Sequence, residues 1–406
     1  VKANRFGYVM QAYHGTQRLK FDKQRRRYSR TVIEFRNPRF VFLNTLFSLS
    51  EACMFAQMVD KLDAGEIKDI VGYEELYRTV HQALDESHAE GVLKEEILAE
   101  PEAFIDRDPD IIQALLDQKQ ADKKLVLITN SDWTYTKRIM EAGFDPELPE
   151  GTTWRDLFDL VIVSARKPSF FDGSNAGFEV VEEEQGLLSP VGIQGLEEGR
   201  VYVGGNARMV EELWGFSGEQ ILYVGDHIYA DVQASKSLLR WRTALVLRER
   251  EGEIRALSGF RAEQAELTSL MLKKEELEST FDRIRMLVRR GEAVSGKGKD
   301  PKLEKFIVKL NRIRSELSAL DKKIGPYAKA YGELLNPNWG LVLRAGNDKS
   351  LLARQVENFA DIYMSRVSNF LYSTPYAYLR SKRSTLPHDR EDASLSETGV
   401  IDLDTL

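Results

Sequence analysis

The sequence predicts an α/β protein: a doubly wound, mostly parallel sheet of Rossmann-like form, with a helical cap ahead of it and a helical hairpin behind it. Three observations carry this. Between residues 111 and 247 short apolar runs alternate with helical patterns, as strands joined by crossover helices do. Ahead of them, residues 40–62 and 73–88 place apolar side chains at helical spacing. Behind them, Phe306, Leu310, Ile313, Leu317, Leu320 and Ile324 step 4, 3, 4, 3, 4, a heptad seam.

In chain order, residues 1–35 alternate short apolar and aromatic groups with turn glycines, then turn basic at residues 25–27, a solvated face. On the predicted helix 73–88, His81, Asp85 and His88 share one polar face. Helices are expected at 111–120, 134–142, 207–214 and 232–241, and strands at 124–129, 158–164, 200–204, 221–224 and 242–247. Residues 170–200, rich in Gly and Glu, read as a surface excursion or a hairpin between strands. A charged helix at 263–289 and the seam helix, joined by the Gly- and Lys-rich connector 291–301, form an antiparallel hairpin. A further amphipathic helix is expected over 353–372. The expected domains are a mostly helical cap region (1–105), the α/β core (106–250), the hairpin (251–335), carboxyl-terminal helices packing on the core (336–388) and a disordered polar tail (389–406).

Composition narrows the class. A formal net charge of −7, with 42% hydrophobic and 30% charged residues, belongs to a soluble globular chain and argues against a general nucleic-acid binder. Cys53 is the single cysteine, so there is no disulfide framework, and a reducing, cytoplasmic setting fits. No apolar run is long enough to span a membrane. The chain opens on Val1 with no signal pattern, and the expectation is that an amino-terminal segment is missing, which leaves organellar targeting open.

The chemistry is expected at three strand ends, where ligands bind in open α/β sheets. One strand runs into Thr129-Asn130-Ser131, whose hydroxyls and backbone N–H groups at a helix start can hold a phosphate. A second runs into Ala165-Arg166-Lys167-Pro168, where Lys167 can neutralise phosphate as a compact charge. The third runs into Gly225-Asp226 and then Asp231, one turn into the next helix, so both carboxylates can face one crevice. Two hard oxygen ligands suit Mg²⁺, which keeps coordination room for water and phosphate. Singly each is a weak signal, and in this order they point to phosphoryl transfer.

With those three motifs the chain resembles the haloacid dehalogenase superfamily of phosphohydrolases. It resembles more closely the cytosolic purine 5′-nucleotidase family (subfamily IG), through His14-Gly15, Leu43-Asn44-Thr45-Leu46-Phe47, Ile128-Thr129-Asn130-Ser131, Ala165-Arg166-Lys167-Pro168 and Val224-Gly225-Asp226-His227-Ile228. Gln355-Val356, Ala360-Asp361 and Leu386-Pro387-His388 extend the likeness over roughly residues 5–390. The resemblance implies a Mg²⁺-dependent phosphomonoesterase of nucleoside 5′-monophosphates, with a nucleotide as its partner and an aspartyl-phosphate as its intermediate. It implies that Thr129, Asn130, Ser131 and Lys167 bind phosphate, that Asp226 and Asp231 hold the metal, and that Asp85, His88 and Lys94 contact substrate from the cap. His81 stands where an Arg is expected and Thr16 where an aromatic is expected to stack on the base.

The nucleophile is the largest departure. The resemblance implies two aspartates in a D-x-D-x-T run at the end of a central strand, one to attack phosphorus and one to protonate the leaving oxygen. Neither 106–110 (Asp-Arg-Asp-Pro-Asp) nor the terminal 400–406 (Val-Ile-Asp-Leu-Asp-Thr-Leu) meets that pattern. No apolar strand feeds the first, and the second lacks Thr at the required place. The expectation is that the nucleophile is absent from this chain and that residues 1–406 alone are inactive. Two alternatives stand beside this reading. One is a phosphatase of another small phosphate ester. The other is a non-catalytic module with a vestigial phosphate site, whose seam helices serve assembly, for example as a homo-oligomer.

Overall fold

Eight strands build the core in the computed structural model, which describes residues 1–381 apart from 35–36, 44–47, 90, 184–185 and 296–300. They are β1 (Val126–Ile128), β2 (Leu160–Val163), β3 (Gly177–Glu182), β4 (Leu187–Pro190), β5 (Val201–Gly204), β6 (Leu222–Gly225), β7 (Arg242–Val246) and β8 (Ile362–Met364). β2 reads Leu-Val-Ile-Val with all four side chains buried, as a strand covered on both faces must. The parallel pairs β1–β2, β2–β5, β6–β7 and β7–β8 bear out the mixed α/β, mostly parallel architecture. The 170–200 excursion is the expected hairpin, β3–β4, and it joins the sheet antiparallel to β5.

Two points differ from expectation. The strands form two sheets, not one: β1-β2-β5-β3-β4 and β6-β7-β8. β1 and β6 each end a sheet, with no hydrogen-bonded strand between them among the described residues. Yet a single cluster of Leu160, Ile162, Tyr202, Tyr223 and Trp241, with Val126 and Ile128 packed on it, draws side chains from both. Secondly, the single helix expected over 353–372 is a helix (Leu351–Phe359), then β8, then a short 3₁₀ segment (Val367–Tyr372). The cause is local. Asp361 accepts from Thr243 N at 3.0 Å and pairs with Lys236 at 2.9 Å, which turns the chain out of the helix and lays residues 362–364 along β7.

The first residues also pack on this carboxyl-terminal part. Lys2 Nζ donates to Trp339 O (2.6 Å) and Leu341 O (2.7 Å), and burial pulls its pKa down to about 8. Helices Ser48–Asp63 and Tyr73–Ala89 pack on each other, with Phe55 edge-on to Tyr77 at 5.5 Å. Residues 40–43 are not helical, so the helix expected from 40 is seen from Ser48.

The hairpin consists of Arg261–Ser295 and Pro301–Gly332. Ile284, Val288 and Ile313 are buried in its seam, with Phe281, Phe306, Leu310 and Leu317 packed around them. Leu310→Asp with Leu317→Asp should therefore cost about 2–5 kcal/mol, as loss of buried leucine contacts does. Thermal melting followed by circular dichroism checks this, and an unchanged midpoint would show that the seam does not hold the helices together.

Candidate active site

The loop after β1 is fixed by its own backbone. Thr129 N donates to Ile162 O (2.9 Å), Ala165 N donates to Thr129 O (2.9 Å), and Ser164 N donates to Ser131 O (2.8 Å). Thr129 Oγ1 accepts from Ser131 N at 3.1 Å. Asp132 caps helix Trp133–Phe144 by accepting from Tyr135 N (2.9 Å), so residues 129–131 stand at a helix amino end, a setting that favours anions. The side chain of Asn130 is committed elsewhere. Its Oδ1 accepts from Lys167 N (2.6 Å) and its Nδ2 donates to Lys167 O (3.2 Å), which turns the side chain to the Lys167 loop and leaves the backbone N–H for a phosphate.

That amide clamp shapes the Lys167 loop. Ser164 (φ 48°) and Arg166 (φ 61°) both sit in the left-handed region, a conformation costing about 1–2 kcal/mol for a side chain with a Cβ. Such strain persists where surrounding bonds over-determine it. The result aims Lys167 inward, with its side chain 15% exposed.

Its partner is Asp231. Lys167 Nζ lies 2.8 Å from Asp231 Oδ1, linking the carboxyl ends of β2 and β6 across the break between the sheets. Tyr223 OH lies 3.3 Å from the same oxygen, and His227 N donates to Oδ2 at 3.1 Å. Burial first, and then the charges of Asp231 and Asp226, push the Tyr223 phenol far above its usual range, so it stays a donor. His227 Nδ1 accepts from Tyr229 N and Ala230 N, capping a π-helical turn over Ile228–Gln233 that contains Asp231. Gly225 is required here. A Cβ on it would lie 2.5 Å from Asp231 Cβ and 2.7 Å from Oδ2. Asp226, at the tip of β6, is exposed and has no partner among the described residues.

The cap contributes one residue. Lys94 Nζ stands 3.8 Å from Asp132 Oδ2 and 5.3 Å over the Tyr135 ring, beside the Thr129 loop. Asp85 is not brought there. It lies 3.5 Å from His81, which also bonds Glu51 (3.0 Å) and stacks on Tyr77. The side chain of His88 lies outside the described residues. Thr16 Oγ1 donates to Asp60, and His14 pairs with Asp63 at 2.7 Å. Asp106 pairs with Arg248, and Asp108 accepts from Ser368 at 2.6 Å, so both are tied to neighbouring elements. Sequence reasoning missed Tyr223 and Asp132. The first faces inward by strand alternation one residue before Val224, and the second is the cap signal before a helix, so both were legible in principle.

For a metal, the donors present are Asp226 and Asp231. Among the described residues no group of three or more His, Cys, Asp or Glu side chains could hold an ion. Two carboxylates suit Mg²⁺, which fills its other positions with water and phosphate oxygens; Asp226 has its oxygens free, while Asp231 would offer only the lone pairs left over by Lys167, Tyr223 and the His227 N–H. No helix among the described residues is long and apolar enough to cross a membrane.

The family model of the 5′ nucleotidase family matches residues 1–391. The chain belongs to this family. It is similar to a 5′-nucleotidase domain-containing protein of Dictyostelium discoideum, 26% identical over 352 residues that make up 86% of this chain and 54% of that protein. It is also similar to 5′-nucleotidase domain-containing protein 2 of Homo sapiens, 25% identical over 382 residues, 94% of this chain and 65% of that one. The chain thus spans between about half and two thirds of the length of these relatives. The Lys167–Asp231 bond holds the loops after β2 and β6 together, and the Asn130 side chain ties the loop after β1 to Lys167.

Proposed function

We propose that the chain carries most of the active site of a haloacid dehalogenase-type 5′-nucleotidase, which hydrolyses nucleoside 5′-monophosphates. The observation that supports it best is the Lys167–Asp231 bond, which with the Asn130 clamp on Lys167 gathers three strand ends beside two strand edges, β1 and β6, unpaired among the described residues. A parallel strand added between those edges would deliver a carboxylate next to Lys167 at its carboxyl end. In the reaction that carboxylate attacks phosphorus, the ester P–O bond breaks, and a second carboxylic acid gives its proton to the leaving nucleoside oxygen. Water then hydrolyses the acyl phosphate.

The residues of this chain bind and orient. Thr129 and Ser131 hydroxyls and the backbone N–H of Asn130 receive the phosphate oxygens at the helix start. Lys167 neutralises the phosphate and steadies the incoming carboxylate. Lys94 adds positive charge from the cap. Mg²⁺, held by Asp226 and Asp231, would supply charge stabilisation to the phosphoryl oxygens. A second reading, another small phosphate ester as substrate, draws support from Thr16 and His81, which are bound to Asp60 and Glu51.

Residues 1–406 alone should release no phosphate from AMP, IMP or GMP. Adding a polypeptide that carries a D-x-D-x-T strand, fused ahead of Val1 or separate, should restore release, and a panel of phosphate esters then ranks the substrates. Robust activity of 1–406 alone, lost on Asp402→Asn or Asp106→Asn, would overturn the proposal.

A further inference from the structure

The helical hairpin changes character along its length. Near its base Lys274 Nζ lies 2.6 Å from Asp321 Oδ1, an opposite-charge pair across the seam. Further out the Arg314 guanidinium sits 5.8 Å over the Phe281 ring. These two contacts share one antiparallel register. Continued outward, that register sets Arg283 beside Arg312 and Arg290 beside Lys305, with Lys309 between. Positions flanking a coiled-coil seam ordinarily pair opposite charges, and like charges there cost stability. Of these five residues only Arg312 has an acidic partner among the described residues, Glu316 on its own helix at 3.0 Å. The ladder is exposed except for half-buried Lys309.

The chain's own body does not supply the counter-charge. Arg283 and Arg290 stand about 33–44 Å along the helix from Arg261 at 1.5 Å per residue, several Debye lengths at physiological salt. A molecule of net charge −7 thus holds a block of eight basic side chains against one acidic one, at 283–290 and 303–314, away from its acidic surface. The complement lies in the cap. Residues 85–110 hold ten acidic and two basic side chains. On helices Val92–Ala99 and Pro101–Phe104, the exposed Glu95, Glu96, Glu100 and Glu102 have no ion-pair partner among the described residues.

We propose that the outer part of the hairpin is a docking arm whose basic ladder seats on the acidic cap face of a second copy of this chain. Each copy carries both halves of the match, so two copies exchanging arms close as a two-fold dimer. The docked face shares a helix with Lys94, so assembly would fix the cap beside the Thr129 loop.

Light scattering and sedimentation of the full chain test this. A dimer is expected at about 50 mM salt and a monomer at about 500 mM, because screening shortens the reach of charge several-fold. Arg283→Glu with Arg290→Glu should weaken self-association at least about tenfold, while turning two like-charge pairs into opposite pairs and so raising the hairpin's melting temperature. Glu95→Lys with Glu96→Lys and Glu102→Lys should weaken it similarly, and mixing the two variants should restore a heterodimer. A monomer at low salt would overturn the proposal. So would a dimer indifferent to the Arg283/Arg290 reversal, or ladder-dependent binding to single-stranded RNA or phosphatidylserine vesicles without self-association.

Discussion

Lys167→Met should destabilise the fold by about 3 kcal/mol, the low end of what breaking a buried ion pair costs. Lys167 is 15% and Asp231 4% exposed at the side chain, so the substitution leaves a carboxylate in the interior with only Tyr223 and the His227 N–H for support. The loss is one of desolvation and not of volume, since Met fills nearly the same space. Adding Asp231→Asn removes the stranded charge, so the double variant should recover most of the stability. Urea unfolding monitored by tryptophan fluorescence gives both values. If the single variant unfolds at the wild-type midpoint, the two sheets are held together by their shared apolar core and the pair adds nothing.

Under the proposed function, Asp226→Asn in a preparation supplied with a D-x-D-x-T strand should abolish Mg²⁺-dependent turnover, because a neutral amide is a poor ligand for a hard cation. Asp226 is exposed at the tip of β6, so the same change should leave stability within about 0.5 kcal/mol of wild type. Gly225→Ala is the companion. The added methyl meets the Asp231 carboxylate at under 3 Å, so it should cost both activity and stability, by displacing Asp231 from Lys167 and Tyr223. Phosphate release against Mg²⁺ concentration, with a melting curve for each variant, separates the two. Near-normal activity of Asp226→Asn at modest Mg²⁺ would rule out the metal assignment.

Much of this architecture was legible because the signals were local. The run Leu160–Val163 is continuously apolar, so a buried strand was the simple reading, and helix Ala207–Trp214 falls where its periodicity put it. Thr129, Lys167 and Asp231 could be named because each follows such a strand. What escaped depended on distant partners. β8 is three residues that become a strand only against β7, and Asn130 spends its amide on Lys167, 37 positions away. The separation of β1 and β6 into two sheets has no local signal, and the like-charge ladder of the hairpin appears only when two helices are laid side by side.

The pairing of β8 on β7 has a consequence for biosynthesis. Thr243 and Asp361, whose bonds seat β8, are 118 residues apart, and Lys2 reaches Trp339 across 337. At about 5–20 residues per second, β7 would emerge from a ribosome about 6–24 s before the strand that covers its edge. During that interval both edges of the β6–β7 ribbon are open, one awaiting β8 and the other facing the break beside β1. A nascent chain halted before residue 362 therefore presents more unpaired backbone than the finished one, and is the form on which chaperones that recognise exposed strands would act.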